Sequence, residues 1–272
     1  MDSFNSVVGL LLRWFYAELA FLPPSAPLVL LSIFGGAGML WVFKRTSNPA
    51  RIRKVKRELQ AHLLEMRLFR EEPGLVWQAQ KALLRSNVRY LALVLRPAMW
   101  VALPLTLLFF HLQAFQGRVP LPLDRDSIVT MGMKMPIDVS TAAPVMTAPA
   151  GIDASTPPVR VLGEKQITWR VRPTASVSGS LRFKIGAETL EKHIETGPSA
   201  RFIPGLRPSS ILDSIWHPDE RRIQSSTVNW IDVRYPQTNL AIFGIQLHWT
   251  IWFTIIGTVF AVLFRKHFGV VL

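Results

Sequence analysis

Residues 91–112 read LALVLRPAMWVALPLTLLFFHL, and the fold follows from how that run is interpreted. At about 1.5 Å of rise per residue, a helix of this length crosses the ~30 Å hydrocarbon core of a bilayer. Two further apolar runs lie on either side of it, Pro27–Phe43 and Ile242–Phe264. The chain is 49% hydrophobic and 18% charged, an apolar excess that the three runs account for. The sequence therefore predicts an α-helical membrane protein with transmembrane helices at 27–43, 91–113 and 242–264.

Each run carries its own signals. Gly35, Gly36 and Gly38 in the first let a neighbouring helix approach closely. In the second, Arg96 lies about one and a half turns in, where it either snorkels to the headgroups or faces a hydrated groove. Pro104 removes a helix hydrogen bond near mid-membrane and predicts a kink. In the third, His248, Trp249 and Trp252 mark one interface, and Arg265 and Lys266 mark the other.

Charge placement gives the orientation. A formal charge of +13 is a signature of nucleic-acid binding when it is clustered on a soluble domain. Here it concentrates beside membrane runs instead, so no specific nucleic acid is expected. Residues 44–90 hold 12 Lys+Arg against 4 Asp+Glu, a net of +8. Residues 114–241 hold 15 against 12, a net of +3 over a far longer stretch. The positive-inside rule puts 44–90 in the cytoplasm, together with the tail at 265–272. The N-terminus and 114–241 then lie outside an inner (cytoplasmic) membrane.

Residues 1–26 carry an apolar stretch interrupted by Arg13 and Glu18, with Trp14, Phe15 and Tyr16 between them. They predict an amphipathic helix lying at the outer interface, the alternative being a fourth span over 4–22. No basic region precedes the apolar residues, so a cleavable signal peptide is not expected. Pro23 and Pro24 separate this segment from the first span.

The basic segment 44–90 predicts two helices. Asn48 caps the first and Pro49 opens it. Ile52, Val55, Leu59, Leu63, Met66 and Phe69 form one apolar stripe, and Glu71-Glu72-Pro73-Gly74 ends the helix. The second helix places Val76, Ala79, Ala82 and Leu83 inward and continues into the second span. The pair predicts an antiparallel coiled-coil hairpin with a basic outer face made by Arg51, Arg53, Lys54, Lys56, Arg57, Arg67 and Arg70. Such a face is either solvated and touching anionic lipid, or a docking surface for the ribosome or a nascent chain.

From 114 to 241 the pattern changes to period-2 alternation. Ile167–Arg172 and Leu181–Ile185 read as half-buried strands, with Val159–Val161 and Thr227–Val233 as further strands. Thr141–Pro158 reads as a linker or an irregular loop. The prediction is an inserted extracytoplasmic all-β, sandwich-like domain without disulfides, because the chain has no cysteine. His193 and His217 are its only histidines. Without a supporting motif, Trp216-His217-Pro218-Asp219 reads as a turn, and neither metal nor cofactor is expected.

The order of a span, a basic hairpin, a second span and a third span resembles the YidC/Oxa superfamily of membrane protein insertases. The nearest resemblance is to the third subunit of the endoplasmic reticulum membrane complex and its prokaryotic relatives. Ala114-Phe115-Gln116-Gly117-Arg118-Val119-Pro120-Leu121-Pro122-Leu123 is similar to that family's stretch after its second span, and Trp249-Thr250-Ile251-Trp252-Phe253 to the aromatic start of its third. The resemblance covers about residues 27–123 and 242–266. It implies a non-enzymatic insertase or chaperone whose hydrated groove admits nascent helices without nucleotide. Groove candidates on that basis are Arg96, Ser32, Thr106, Thr250, Thr254 and Thr258, although span hydroxyls equally bond their own backbone. The sequence departs from the family in having no basic residue inside 27–43 and in carrying the β domain between the last two spans. That domain supports a competing expectation, a non-catalytic anchored subunit of an envelope complex whose β domain binds a protein partner.

Overall fold

The structure is a computed structural model that describes residues 2–69, 71–137, 144–198 and 202–269. Helices α1 (Asp2–Glu18), α2 (Ala26–Thr46), α3 (Pro49–Leu68) and α4 (Pro73–Gln116) come first. Strands β1 (Ser127–Met133), β2 (Val145–Thr147), β3 (Ile152–Asp153), β4 (Val159–Val161), β5 (Gln166–Pro173), β6 (Ser178–Ile185), β7 (Glu188–Glu195) and β8 (Leu206–Pro208) follow. The chain ends with α5 (Asp213–Trp216), β9 (Val228–Val233), β10 (Leu240–Ile242), β11 (Ile245–Leu247) and α6 (Trp249–Phe264). It divides into two compact units. One comprises Met1–Leu28 and Leu107–Trp252, the other Val29–Thr106 and Phe253–Leu272.

The first unit is built on antiparallel sheets. One runs β3-β5-β1-β9-β8 with β4 also on β5, and a second runs β2-β6-β7. Alternation drives the core: Ile167, Trp169 and Val171 of β5 point inward while Arg170 and Arg172 point out. Leu181 and Phe183 of β6 join the same core, and the Trp169 and Phe183 rings meet edge to face at 5.2 Å. All four expected strands are present. Two expectations are corrected. The 141–158 stretch is not simply a loop: β2 and β3 lie in it, pairing with β6 and β5, while 141–143 fall outside the described residues. The domain is not purely β either, since α5 interrupts it.

The 242–264 span is corrected as well, because its first residues are not helical. Ile242 pairs with Ile245 in the β10–β11 hairpin. The two turn residues between them, Phe243 and Gly244, have φ of 53° and 80°, the geometry of a tight primed turn. Helix α6 starts only at Trp249, where the Trp252 indole N–H donates to the Leu240 carbonyl at 3.0 Å. An apolar run hid the turn because Phe243 is itself apolar and only Gly244 gives a turn signal.

Helix α1 packs one apolar edge on the domain. Leu12 and Tyr16 are buried, and the Tyr16 ring stacks on Phe115 at 4.5 Å. Its other edge, Val7, Leu10, Leu11 and Trp14, is exposed.

In the second unit, α2 and α4 are both long and apolar enough to cross a membrane. The apolar α6, of 16 residues, is shorter. Ser32, Gly36, Leu40 and Phe43 form the buried face of α2. At Gly36 the α6 backbone comes so near that a Cβ would sit 2.8 Å from the Gly257 carbonyl oxygen. Helix α3 starts as expected, with the Asn48 side chain accepting from the Arg51 N–H at 3.1 Å. Ile52 and Val55 of its stripe are buried, Leu59 and Met66 are half-buried, and Leu63 and Phe69 are exposed. On α4, Ala79 and Ser86 are buried. The Arg89–Glu58 ion pair at 3.7 Å ties α4 to α3.

Candidate functional site

The groove candidates occupy different environments. Ser32 is fully buried on the α2 face that meets α6. Arg96 is exposed on α4, next to exposed Leu95, Met99 and Trp100. Thr106 is exposed. Thr250, Thr254 and Thr258 recur every four residues on α6, with Thr254 and Thr258 exposed. The Thr250 hydroxyl lies 2.8 Å from His248 Nδ1. None of the six lines either of the two cavities described next. On α3, the cations Arg51, Arg53, Lys54, Lys56, Arg57 and Arg67 are all exposed; Arg70 lies outside the described residues.

A site that sequence reasoning missed lies in the first unit. It is a cavity of about 490 Å³ between α1, the last turns of α4 and the β domain. A second hollow of about 790 Å³ shares Ser6, Glu191, Arg207 and Arg221 with it. Two ion pairs form the wall. Arg118 donates to Asp219 at 3.0 Å and to the Ile203 carbonyl at 3.2 Å. The Arg118 guanidinium fits because Gly205 has no side chain: a Cβ there would overlap it. Lys192, fully buried, donates to the Glu220 carboxylate and, at 3.0 Å, to the Pro204 carbonyl. Glu220 also accepts the His193 N–H at 3.0 Å. Burial pushes Asp219 up from the usual carboxylate range, against the opposing pull of Arg118. Burial likewise draws Lys192 down, and the Glu220 carboxylate opposes it.

Around the wall, His193 Nε2 lies 2.6 Å from Glu195, which also accepts from Ser178 at 2.7 Å. Burial lowers the His217 imidazole, with Asp219 opposing. Arg13 of α1 stacks over Phe202 at 3.9 Å. On α4, His111 is 4% exposed. Its Nδ1 faces the Leu107 carbonyl at 2.9 Å, while Nε2 has no hydrogen-bond partner among the described residues. Ser180 sits opposite His193 across the β6–β7 ladder, but no Ser180–His193 hydrogen bond is formed among the described residues. The arrangement has the chemistry of a binding pocket, with paired charges in its wall and guanidinium and imidazole groups facing the space. No group of described His, Asp or Glu residues has the geometry to hold a metal.

One signal in the sequence does point here. In β7, Leu190, Lys192 and Ile194 share the inward face, so period-2 reading places a lysine in the core, where it needs a buried anion. No protein-family model, curated protein or solved structure matches the chain.

Proposed function

We propose that this chain is a membrane protein insertase or chaperone of the inner membrane. In this reading α2, α4 and α6 are its three spans, α3 and the start of α4 form a cytoplasmic antiparallel coiled coil, and the β domain and N-terminus lie outside. The observation that carries the reading is α6. Its 16 residues rise about 24 Å, less than the ~30 Å of hydrocarbon that a full span needs. A short span thins the bilayer around it. Exposed Thr254 and Thr258, and exposed Arg96 on α4, draw water into the thinned region. A substrate helix with a short polar flank then crosses at lower desolvation cost, and no nucleotide or other cofactor takes part. The exposed cations of α3 would meet the ribosome, a nascent chain or anionic lipid.

The second reading, an anchored subunit whose β domain binds a partner, is favoured by the cavity beside α1. Photocrosslinking in translating cells separates the two. Probes at Arg57, Arg96 and Thr254 are expected to capture short nascent membrane proteins, with Arg57 also reaching the ribosome. Capture of only a fixed set of resident membrane proteins at all three positions would overturn the insertase reading in favour of the second.

A further inference from the structure

We propose that the cavity between α1, α4 and the β domain binds the phosphate-bearing headgroup of an anionic lipid. The inference rests on the membrane reading but not on insertase activity.

Charge is the first argument. The carboxylates facing the cavity are already engaged: Asp219 with Arg118, Glu220 with Lys192, and Glu191 with Arg182 at 3.1 Å. Three cations facing it are not. Among the described residues, Arg13, Arg207 and Arg221 have no carboxylate partner. Arg13 has its ring contact with Phe202. Arg207 donates to two backbone carbonyls, those of Arg221 and Glu191. The cavity therefore presents uncompensated guanidinium charge, the chemistry that recognises phosphate.

His111 is the second and independent argument. Its Nδ1–H donates back to the Leu107 carbonyl, so Nε2 is the free edge of a ring that lines the cavity. A buried ring nitrogen with no partner is uncommon and implies a group not yet in place. Nε2, its lone pair open to the cavity, is placed to accept a hydrogen bond from a headgroup hydroxyl while the guanidinium groups hold the phosphate.

The amphiphile follows from the surroundings. His111 lies at the end of the apolar run 91–112, the depth at which headgroups sit if that run crosses the membrane. Leu10 lines the cavity and continues into the exposed apolar edge of α1, Val7, Leu11 and Trp14. Acyl chains have an apolar surface to lie on there, which a soluble phosphate ester would not need.

The test uses the full chain in maltoside detergent and native mass spectrometry, with added phosphatidylglycerol or phosphatidylcholine. Selective retention of phosphatidylglycerol is expected. His111→Leu and Arg13→Gln are each expected to lower that retention about tenfold, the first by losing a hydrogen bond to a headgroup hydroxyl and the second by losing a charge-assisted contact. Arg13 is exposed, so its replacement leaves the fold intact and keeps the test valid if His111→Leu misfolds. Equal retention of both lipids, or retention unchanged in Arg13→Gln, would overturn the proposal. Displacement by millimolar glycerol 3-phosphate would overturn the lipid assignment in favour of a soluble phosphate ester. A bound peptide in place of lipid would overturn it too. Nascent-chain crosslinking in Arg13→Gln cells separates this proposal from the insertase reading: lipid retention can fall while crosslinks at Arg57 persist.

Discussion

The β domain and the helical unit place their apolar residues in opposite ways. Along β5, Ile167, Trp169 and Val171 turn into a shared core while Arg170 and Arg172 face out. Along α4, Met99 and Leu103 are 71% and 70% exposed, and within its unit the α2–α6 contact combines a close backbone approach at Gly36 and Gly257 with a small cluster around Leu40 and Phe43. Water accounts for the first pattern, since it drives apolar surface inward. It does not account for the second. On the membrane reading proposed above hydrocarbon lies outside, so large side chains have no reason to turn inward and close backbone approach adds to the packing.

Four substitutions probe that contrast. The largest effect is expected from Asp219→Ala, which leaves the Arg118 guanidinium in a buried site without its partner. Breaking such a pair costs about 3–5 kcal/mol. Thermal unfolding in detergent, followed by the β-sheet circular dichroism signal, should show the loss. A change below 1 kcal/mol would mean that water reaches the cavity wall.

Next is Leu103→Arg on α4. A central arginine on a lipid-facing helix costs about 2.5–3.5 kcal/mol of insertion. A glycosylation-mapping insertion assay should show less of the span inserted, whereas an arginine replacing exposed Val159 in β4 should leave β-domain folding unchanged. Equal tolerance at both positions would break the comparison.

Gly36→Leu comes third. The new side chain has no room beside the Gly257 carbonyl, and overpacking of this kind costs about 1–3 kcal/mol. The chain lacks cysteine, so a pair introduced at Leu40 and Ala261, members of one apolar cluster between α2 and α6, reports the contact. Disulfide formation between them should fall in Gly36→Leu, with β-domain unfolding unchanged.

The smallest effect is a pH dependence. The Ser225 hydroxyl donates to Glu188 at 2.5 Å, and this bond is the chief reason the carboxyl is held below its ordinary 4.5. A depressed carboxylate contributes stability that is present above its unfolded pKa and lost as pH falls through the folded one. Ser225→Ala should therefore weaken the domain slightly at neutral pH and flatten its stability loss below pH 4.5. An unaltered acid-unfolding profile would show that the other donors, Ser226 and Thr227, suffice.

The sequence was most legible where one face of an element meets one environment. The alternation in β5 and β6 located both strands, and the Asn48-Pro49 pair located the start of α3. It was least legible where environments change within a few residues. β7 was missed because Lys192 occupies an inward position and Glu188, Glu191 and Glu195 obscure the alternation. The β10–β11 hairpin was absorbed into the third span because its turn is apolar. The cavity was hidden for a different reason. Arg13, His111, His193 and Asp219 are far apart in the chain, and none belongs to a motif that would link it to the others. Only the packing of α1 onto the domain brings them together.

Helix α4 has a mechanical consequence. Forty-four residues at about 1.5 Å each make a shaft of roughly 66 Å. A regular helix of that length transmits bending and twist along its axis. Pro97 and Pro104, seven residues apart, each remove a backbone hydrogen bond, so compliance concentrates in two turns just past Arg96. Flexure of the shaft therefore falls at those two positions rather than along the regular turns that precede them.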